Sequence, residues 1–400
     1  MGGQYLAAHG ISTHRGAQAH AVRRTVERFV PRQYDAASLP TIIRNASWPA
    51  GFRMPVHGST SMPSSMTTPI LSICIPTYNF GDFIGATLES IVGQLPEHAE
   101  IVVLDGGSTD STEQVVARFQ SRCPQIRYQR RDTRGGIDRD MVRSIDLARG
   151  EYCWLFSADD IMRPKSIERM MRAICTSHDI YLCKHASCDF HMKVLCETGV
   201  LDIQSETTFD LGDAAQRLRY FGLAQTTEAF FSFMGGIIIK RAKWNSIQLN
   251  EAFVGSCWAH VARILELGSS GLTVTYIPEA LLDRRGGNDS FSDRGMVNRY
   301  RIAIEGYHRL AAAFFPNGST EAFHIRRVIR NEFTLIPFLY AAMQCRRYPA
   351  TENLALLNEL MKKAYCDAPF TGLLIRIACA TFPGRLYRKM RDIYRRAVQP

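Results

Sequence analysis

Leu71-Ser72-Ile73-Cys74-Ile75 runs into Pro76-Thr77-Tyr78-Asn79, and Ile101-Val102-Val103-Leu104 runs into Asp105-Gly106-Gly107-Ser108-Thr109-Asp110. Each is a short apolar strand that empties into a polar, turn-forming loop. Each loop opens a segment of helical periodicity, Ile84, Leu88, Ile91 and Val92 after the first and Val115, Val116 and Phe119 after the second. Strand, loop and helix repeated in this order predict half of a doubly wound α/β sheet, in which ligands sit at the carboxyl ends of the strands. A third apolar strand, Tyr152 to Phe156, ends in Ser157-Ala158-Asp159-Asp160 and brings two carboxylates to that same edge. Together the loops point to a site for a nucleoside diphosphate and a divalent cation.

Outward from these loops the pattern continues. Asp110 is placed to cap the second helix, with Glu113 completing a capping box. A strand from Ile126 to Gln129 leads to Arg130-Arg131-Asp132-Thr133-Arg134-Gly135-Gly136, and Met141, Ile145 and Ala148 mark a helix that stops at Gly150. After Asp160, Pro164 suits a helix first turn, with Ile167, Met170, Met171 and Ile174 as its buried face. The stretch Ile180 to Ile277 mixes strand and helix signals and is expected to form the acceptor-facing half of the same domain. Beyond Arg299 the chain turns helical. These boundaries give an α/β domain over 69–300 and a helical region over 301–400.

Residues 1–68 differ in composition. Seven arginines from Arg15 to Arg53 face only Glu27 and Asp35, four prolines interrupt any long element, and Gly58 to Thr68 has a linker's composition. A disordered or non-native arm is expected, with a native start at Met62 or Met66; a targeting or partner-binding arm is the rival. At the other end, Leu373, Leu374, Ile377, Leu386 and Ile393 alternate with Arg376, Arg385, Arg388, Lys389, Arg391, Arg395 and Arg396. That pattern fits a basic amphipathic helix on an anionic membrane surface, or a helix packed on the domain with a solvated basic face.

At 400 residues, 46% hydrophobic and 22% charged, the chain has the composition of a globular protein, and no apolar run is long enough to span a bilayer. Met1 to Gly10 lacks the pattern of an export signal, and the 11 cysteines fit a reducing compartment better than a disulfide framework. A cytoplasmic location is expected, with peripheral contact at the inner face of the plasma membrane. The net charge of +10 favours an anionic partner. No zinc-finger or aromatic-basic RNA-binding signature is present, so nucleic acid is not the expected partner.

The chemistry follows from the strand-end loops. Breaking the anomeric bond of a sugar nucleotide releases a diphosphate whose charge must be stabilised, and a cation held by oxygen ligands, Mg²⁺ or Mn²⁺, does so. Asp159 and Asp160 stand where such ligands are needed. Asp105 can accept hydrogen bonds from a base or ribose, and Gly106 and Gly107 allow close backbone approach. Arg284 and Arg285, ahead of Gly286-Gly287-Asn288-Asp289, form a loop able to close over the diphosphate. The spacings of Cys183, His185, Cys188, His191 and Cys196 match no paired zinc-knuckle pattern, and core cysteines are the expected account.

These motifs, with Gly150-Glu151-Tyr152 leading to Ser157-Ala158-Asp159-Asp160, resemble the family 2 glycosyltransferases of the GT-A (nucleotide-diphospho-sugar transferase) fold. Gly135-Gly136-Ile137-Asp138-Arg139-Asp140, Trp154-Leu155-Phe156-Ser157 and Gly255-Ser256-Cys257-Trp258-Ala259-His260 resemble the abequosyltransferase branch, which acts on bacterial O-antigen units. The resemblance implies inverting transfer of a sugar from a nucleoside diphosphate to an acceptor hydroxyl, with a metal. By position, Pro76, Thr77, Tyr78 and Asp105 would line the nucleoside pocket, Asp138 would lie near the sugar or phosphates, and Asp159 would be the principal metal ligand beside Asp160. Two departures stand out. Ser157 replaces the first Asp of the usual D-x-D, and no carboxylate stands at Ser256 to His260, where many members place the general base. His260 is the substitute candidate, with Glu228, Glu251 and Asp283 behind it.

The expected function is transfer of a sugar to a lipid-linked oligosaccharide during surface polysaccharide assembly. A sugar-nucleotide nucleotidyltransferase is disfavoured, because it would place a Gly-rich basic loop where Pro76-Thr77-Tyr78-Asn79 stands. A non-catalytic sugar-nucleotide or carbohydrate binding protein of the same fold is the rival that Ser157 and the missing acidic dipeptide motivate.

Overall fold

The computed structural model describes residues 68–288 and 295–383. The arm expected over 1–68, all but its last residue, and the basic stretch from Arg385 to Arg396 lie outside the described residues, as does Asp289. In chain order the elements are β1 (Leu71–Thr77), α1 (Gly81–Val92), β2 (Ala99–Asp105), α2 (Thr112–Gln120), β3 (Ile126–Arg130), α3 (Ile137–Leu147), β4 (Tyr152–Leu155), β5 (Ile161–Met162) and α4 (Ser166–Ile174). There follow β6 (Ile180–Cys188), β7 (Val194–Glu197), β8 (Thr207–Asp210), α5 (Ala214–Leu223), β9 (Ile237–Lys240), α6 (Arg241–Trp244), α7 (Ala259–Ser269) and β10 (Thr273–Arg284). The last helices are α8 (Met296–Phe314), α9 (Thr320–Glu332), α10 (Leu335–Arg347), α11 (Leu354–Ala364) and α12 (Pro369–Thr381).

The strands form one mixed sheet in the order β3-β2-β1-β4-β9-β6-β10-β5, with β7 paired to β6 and β8 to β10. β1 is parallel to β2 and β4, β2 to β3, and β6 to β10. β9 lies antiparallel between β4 and β6, which leaves those two strands pointing the same way. Thr77 is level with Asp105, so the first two loops leave the sheet side by side. The amide of Phe156 donates to the carbonyl of Cys74 at 2.9 Å, which sets Ser157 to Asp160 beside them.

Strand alternation divides the core between the two faces of the sheet. Leu71, Ile73, Ile75, Ile101, Val103, Tyr152 and Trp154 face α1, α2 and α4. Cys74, Val102, Cys153, Leu155, Ile237 and Ile239 face the other way, in one continuous core with residues of α3, α7 and the helices from α8 to α12. The expected doubly wound sheet with a helical C-terminal region is what forms. Each Ile or Leu fully withdrawn from water in these layers contributes roughly 1.5–3 kcal/mol. Helix α8 approaches closely through Gly306: a β-carbon there would collide with the indole of Trp258, whose Nε1 donates to the carbonyl of Ile302 at 2.7 Å. No helix among the described residues is long and apolar enough to cross a membrane.

Candidate active site

The first two strand-end loops are knitted together by their own polar residues. The amide of Gly106 donates to the Thr77 carbonyl at 2.8 Å, the Asn79 amide to Ser108 Oγ at 2.8 Å, and the Thr109 amide to Asn79 Oδ1 at 2.8 Å. Asp110 does not form the capping box expected of it. It lies one position before the N-cap Ser111, and its carboxylate accepts from the amide of Thr112 at 3.0 Å and from that of Gly81 at 2.8 Å, tying together the starts of α2 and α1. Burial opposes the charge of Asp110, yet these hydrogen bonds prevail and its pKa is lowered.

Asp105 is fully buried, with Oδ1 accepting from the amides of Gly107 (2.9 Å) and Ser108 (2.7 Å) and Oδ2 from the Tyr128 hydroxyl (2.6 Å). Its carboxylate shapes the loop from which the backbone faces the site. Gly107 has φ +91°, where a side chain would be strained, and a β-carbon on Gly106 would meet Asp140 Oδ2 at 2.8 Å. The close approach that the glycines permit is thus first to the protein's own Asp140, which is buried and paired with Arg131 at 3.1 Å. Pro76 is buried at the end of β1, and Thr77 Oγ1 is buried there with no hydrogen-bond partner. Tyr78 is half-buried beneath the Arg134 guanidinium, 4.2 Å from its ring centre.

Asp138, in the first turn of α3, has both carboxylate oxygens engaged. Oδ2 accepts from the amides of Gly255 (2.8 Å) and Cys257 (3.1 Å), and Oδ1 from that of Ala259 (3.1 Å). It therefore fixes the loop that leads into α7 and supplies an acceptor for that helix's start, a role the sequence did not suggest. Burial raises its pKa despite the three amides.

The acid pair sits under the loop that follows β10. Asp159 Oδ1 accepts from Ser157 Oγ at 2.6 Å and Oδ2 from Asn288 Nδ2 at 2.8 Å; Asp160 Oδ1 accepts from the Arg285 amide at 2.9 Å. The Arg285 guanidinium donates to the carbonyls of Asp159 (3.0 Å) and Phe190 (2.6 Å). Asp160 Oδ2 is buried without a partner. Burial raises the pKa of Asp159 against the hydrogen bonds from Ser157 and Asn288, and burial together with the neighbouring Asp159 raises that of Asp160 far more. Two partly uncompensated carboxylates held side by side, both oxygen donors, suit a hard divalent cation. Ser157, standing where an Asp was expected, orients Asp159 instead of adding a charge. Asn288 had no assigned role in the sequence, since nothing there shows which loop residue turns inward.

Arg284, whose charge also acts on Asp159 and Asp160, has partners of its own. It lies over the Phe233 ring at 5.1 Å and 3.9 Å from Glu228, which is itself 3.3 Å from His185 Nδ1. The adjacent Thr227 is held by Glu332 of α9, whose carboxylate accepts from its amide at 2.5 Å. Glu332 is buried and its pKa is pushed up to about 7, by burial acting against that hydrogen bond.

His260, the candidate for the general base, lies in the first turn of α7. The ring is buried, Nε2 donates to the Phe231 carbonyl at 3.0 Å, and burial drives the pKa down to about 3, so the remaining Nδ1 is a poor proton acceptor at neutral pH. Glu251 is paired at the surface with Arg139 (2.7 Å), and Asp283 with Arg163 (2.7 Å). Among the described residues no three of His, Cys, Asp and Glu gather as a metal cluster.

Comparison with known proteins adds to this geometry. Residues 72–192 match the model of Glycosyl transferase family 2. The chain is 26% identical over 336 residues to the abequosyltransferase RfbV of Salmonella typhimurium, covering 82% of this chain and all of that one. It is 33% identical over 114 residues to a PGL/p-HBAD biosynthesis glycosyltransferase of Mycobacterium bovis, covering 28% of this chain and 44% of that one. In fold it is similar to S. aureus TarS 1-349 solved in complex with UDP-GlcNAc, with a TM-score of 0.51 and 16% identity, covering 82% of this chain and 92% of that one. A GT-A sheet whose β1, β2 and β4 loops meet at one edge, the family match over those same loops and the similarity along the whole length of RfbV lead to one assignment: this chain is a glycosyltransferase whose residues 72–192 resemble family 2 and which, over most of its length, resembles the abequosyltransferase branch.

Proposed function

We propose that this enzyme moves a sugar, a hexose or deoxyhexose, from a nucleoside diphosphate to a hydroxyl of a lipid-linked oligosaccharide during surface polysaccharide assembly of the O-antigen kind. The observation that carries the proposal is the buried Asp159–Asp160 pair under the Arg285–Asn288 loop, at the edge where the Thr77 and Asp105 loops meet. The abequosyltransferase likeness supports a bacterial saccharide acceptor, and UDP-GlcNAc bound by TarS supports a nucleotide-sugar donor.

In this reading the backbone of Pro76 to Asn79 and of Asp105 to Ser108 receives the nucleoside, with Thr77 Oγ1 free to donate and Tyr78 beside it. Asp159 and Asp160 would hold Mg²⁺ or Mn²⁺, which supplies Lewis-acid stabilisation of the departing diphosphate. Arg285 adds a fixed positive charge at the same place, and Ser157 and Asn288 keep Asp159 in one orientation. Glu228 positions Arg284 beside this loop. The acceptor hydroxyl oxygen attacks the anomeric carbon in line as the bond to the diphosphate oxygen breaks and the hydroxyl proton passes to the departing diphosphate or to water, which inverts that carbon.

The test is thermal unfolding with a panel of nucleoside diphosphates, each with and without Mn²⁺, on wild type and Asp159→Ala. A ligand that binds only the folded chain raises its stability in proportion to the logarithm of concentration over affinity. One nucleotide should stabilise the wild type only with metal, and Asp159→Ala should lose that effect. A protein that no nucleotide shifts under either condition would overturn the proposal.

A further inference from the structure

Helix α12 buries Gly372, Ile375 and Cys379 against the rest of the helical region. Its other side is open and apolar. Phe370 is 73% exposed, Leu373 46%, Leu374 51% and Ile377 49%, the spacing of one helical face. The remaining exposed positions of the helix are Pro369, Thr371, Ala380 and Thr381, and its one charged residue, Arg376, is half-buried, so the open face itself is uncharged. The platform is firmly held: Arg346 of α10 donates to the carbonyls of Cys379 (2.6 Å), Ala380 (2.9 Å) and Phe382 (3.0 Å), which completes the C-terminus of α12. A soluble surface rarely offers so many large apolar side chains in one contiguous set unless something covers them.

Charge identifies the cover. The chain that follows α12 contains Arg385, Arg388, Lys389, Arg391, Arg395 and Arg396 against Asp392 alone, and the whole protein carries +10. A second copy would bring the same positive charge to the contact, which opposes association. An anionic leaflet gains from it, with each Lys or Arg near the surface attracted to the headgroups while an uncharged apolar face enters the acyl boundary. We propose that the Phe370–Leu373–Leu374–Ile377 face of α12 is the membrane-docking surface of this enzyme, and that its partner is an anionic lipid bilayer. The inference deepens the proposed function in one respect, since a lipid-linked acceptor places the reaction at such a surface.

The experiment is flotation of the full chain with vesicles of phosphatidylglycerol and phosphatidylcholine, and with vesicles of phosphatidylcholine alone, without donor or acceptor. Its outcome is therefore independent of whether the transfer reading stands. Wild type should float with the anionic vesicles, and should be released by salt and by omission of phosphatidylglycerol. Phe370→Ser/Leu374→Ser, at positions that face solvent, should keep the wild-type unfolding temperature and lose binding by about tenfold or more. Equal flotation of the variant would overturn the assignment of the face, and equal binding to phosphatidylcholine alone would overturn the anionic partner. A wild-type dimer in sedimentation that the double variant dissolves would show that the face belongs to a second copy instead, and absence of wild-type flotation would overturn the proposal outright.

Discussion

Glu332→Gln offers a stability measurement whose sign and size follow from the structure. The carboxyl is buried where α9 meets the Thr227 segment, accepts from the Thr227 amide, and has a second oxygen without a hydrogen-bond partner. Its pKa stands at about 7, against an ordinary 4.5. The folded value lies above the unfolded one, so protonation favours the folded chain. That stabilisation is whole below about pH 4.5 and is lost as the pH climbs through about 7. A displacement of this size corresponds to about 3 kcal/mol, most of it lost over that interval. Glutamine preserves the acceptor for Thr227 and never ionises. Wild type and variant should therefore be nearly equal in stability at about pH 4, and the variant should be more stable by about 3 kcal/mol at about pH 8. Urea unfolding of both proteins across this range measures the difference, and because the two differ at one group, every other titration cancels. A difference that does not change with pH, or a wild type more stable than the variant on the alkaline side, would refute the account.

Three further outcomes are expected. Asp138→Ala should cost about 2–4 kcal/mol in urea unfolding, because the amides of Gly255, Cys257 and Ala259 lose their acceptor at the start of α7. Asp159→Asn should abolish sugar transfer while leaving the unliganded protein at least as stable as wild type in the same assay, since burial already disfavours the charge it removes. His260→Gln, which keeps a donor for the Phe231 carbonyl, should retain transfer with an unmoved pH profile; a lost alkaline or acidic limb would restore the histidine as a base.

The architecture was legible because it rests on period and punctuation. The strands Leu71 to Ile75 and Ile101 to Leu104, the loops that end them and the apolar spacing after each are local signals, and each survives in β1, β2, α1 and α2. The helix expected to stop at Gly150 ends at Leu147, a difference of about one turn that does not move the site. What was not legible depends on where carboxylates point. Asp110 follows the sequence pattern of a capping box, yet it reaches across to Gly81, 29 residues earlier. Asp138 has no local partner at all; it serves Gly255, Cys257 and Ala259, which lie far along the chain beyond β9. His260 follows the loop where the resemblance places a base, and its burial against Phe231 is visible only in the fold.

The acids at the carboxyl edge can be sorted by one physical criterion, how many donors of the surrounding protein already hold the carboxylate oxygens. Asp105 has three donors on its carboxylate, and Asp110 and Asp138 each hold two or more backbone amides that no other group would satisfy. These carboxylates hold the loops together, and removing any of them would free backbone donors of the scaffold. Asp159 and Asp160 differ: one neutral hydroxyl, one amide side chain and one backbone amide are their hydrogen-bond donors, the two charges oppose each other, and Asp160 Oδ2 has no partner. Ser157 in place of a further carboxylate lowers this repulsion and leaves fewer protein ligands for a cation. The same substitution predicts that metal affinity in the free enzyme is weak and rises when a nucleoside diphosphate supplies its own oxygens. Calorimetric titration of Mn²⁺ into the protein, with and without the nucleotide found by the thermal panel, should show that coupling, and Ser157→Asp should tighten binding of the metal alone. If Ser157→Asp leaves the metal affinity of the free enzyme unchanged, the serine is not what limits it and the criterion fails at the residue it was meant to explain.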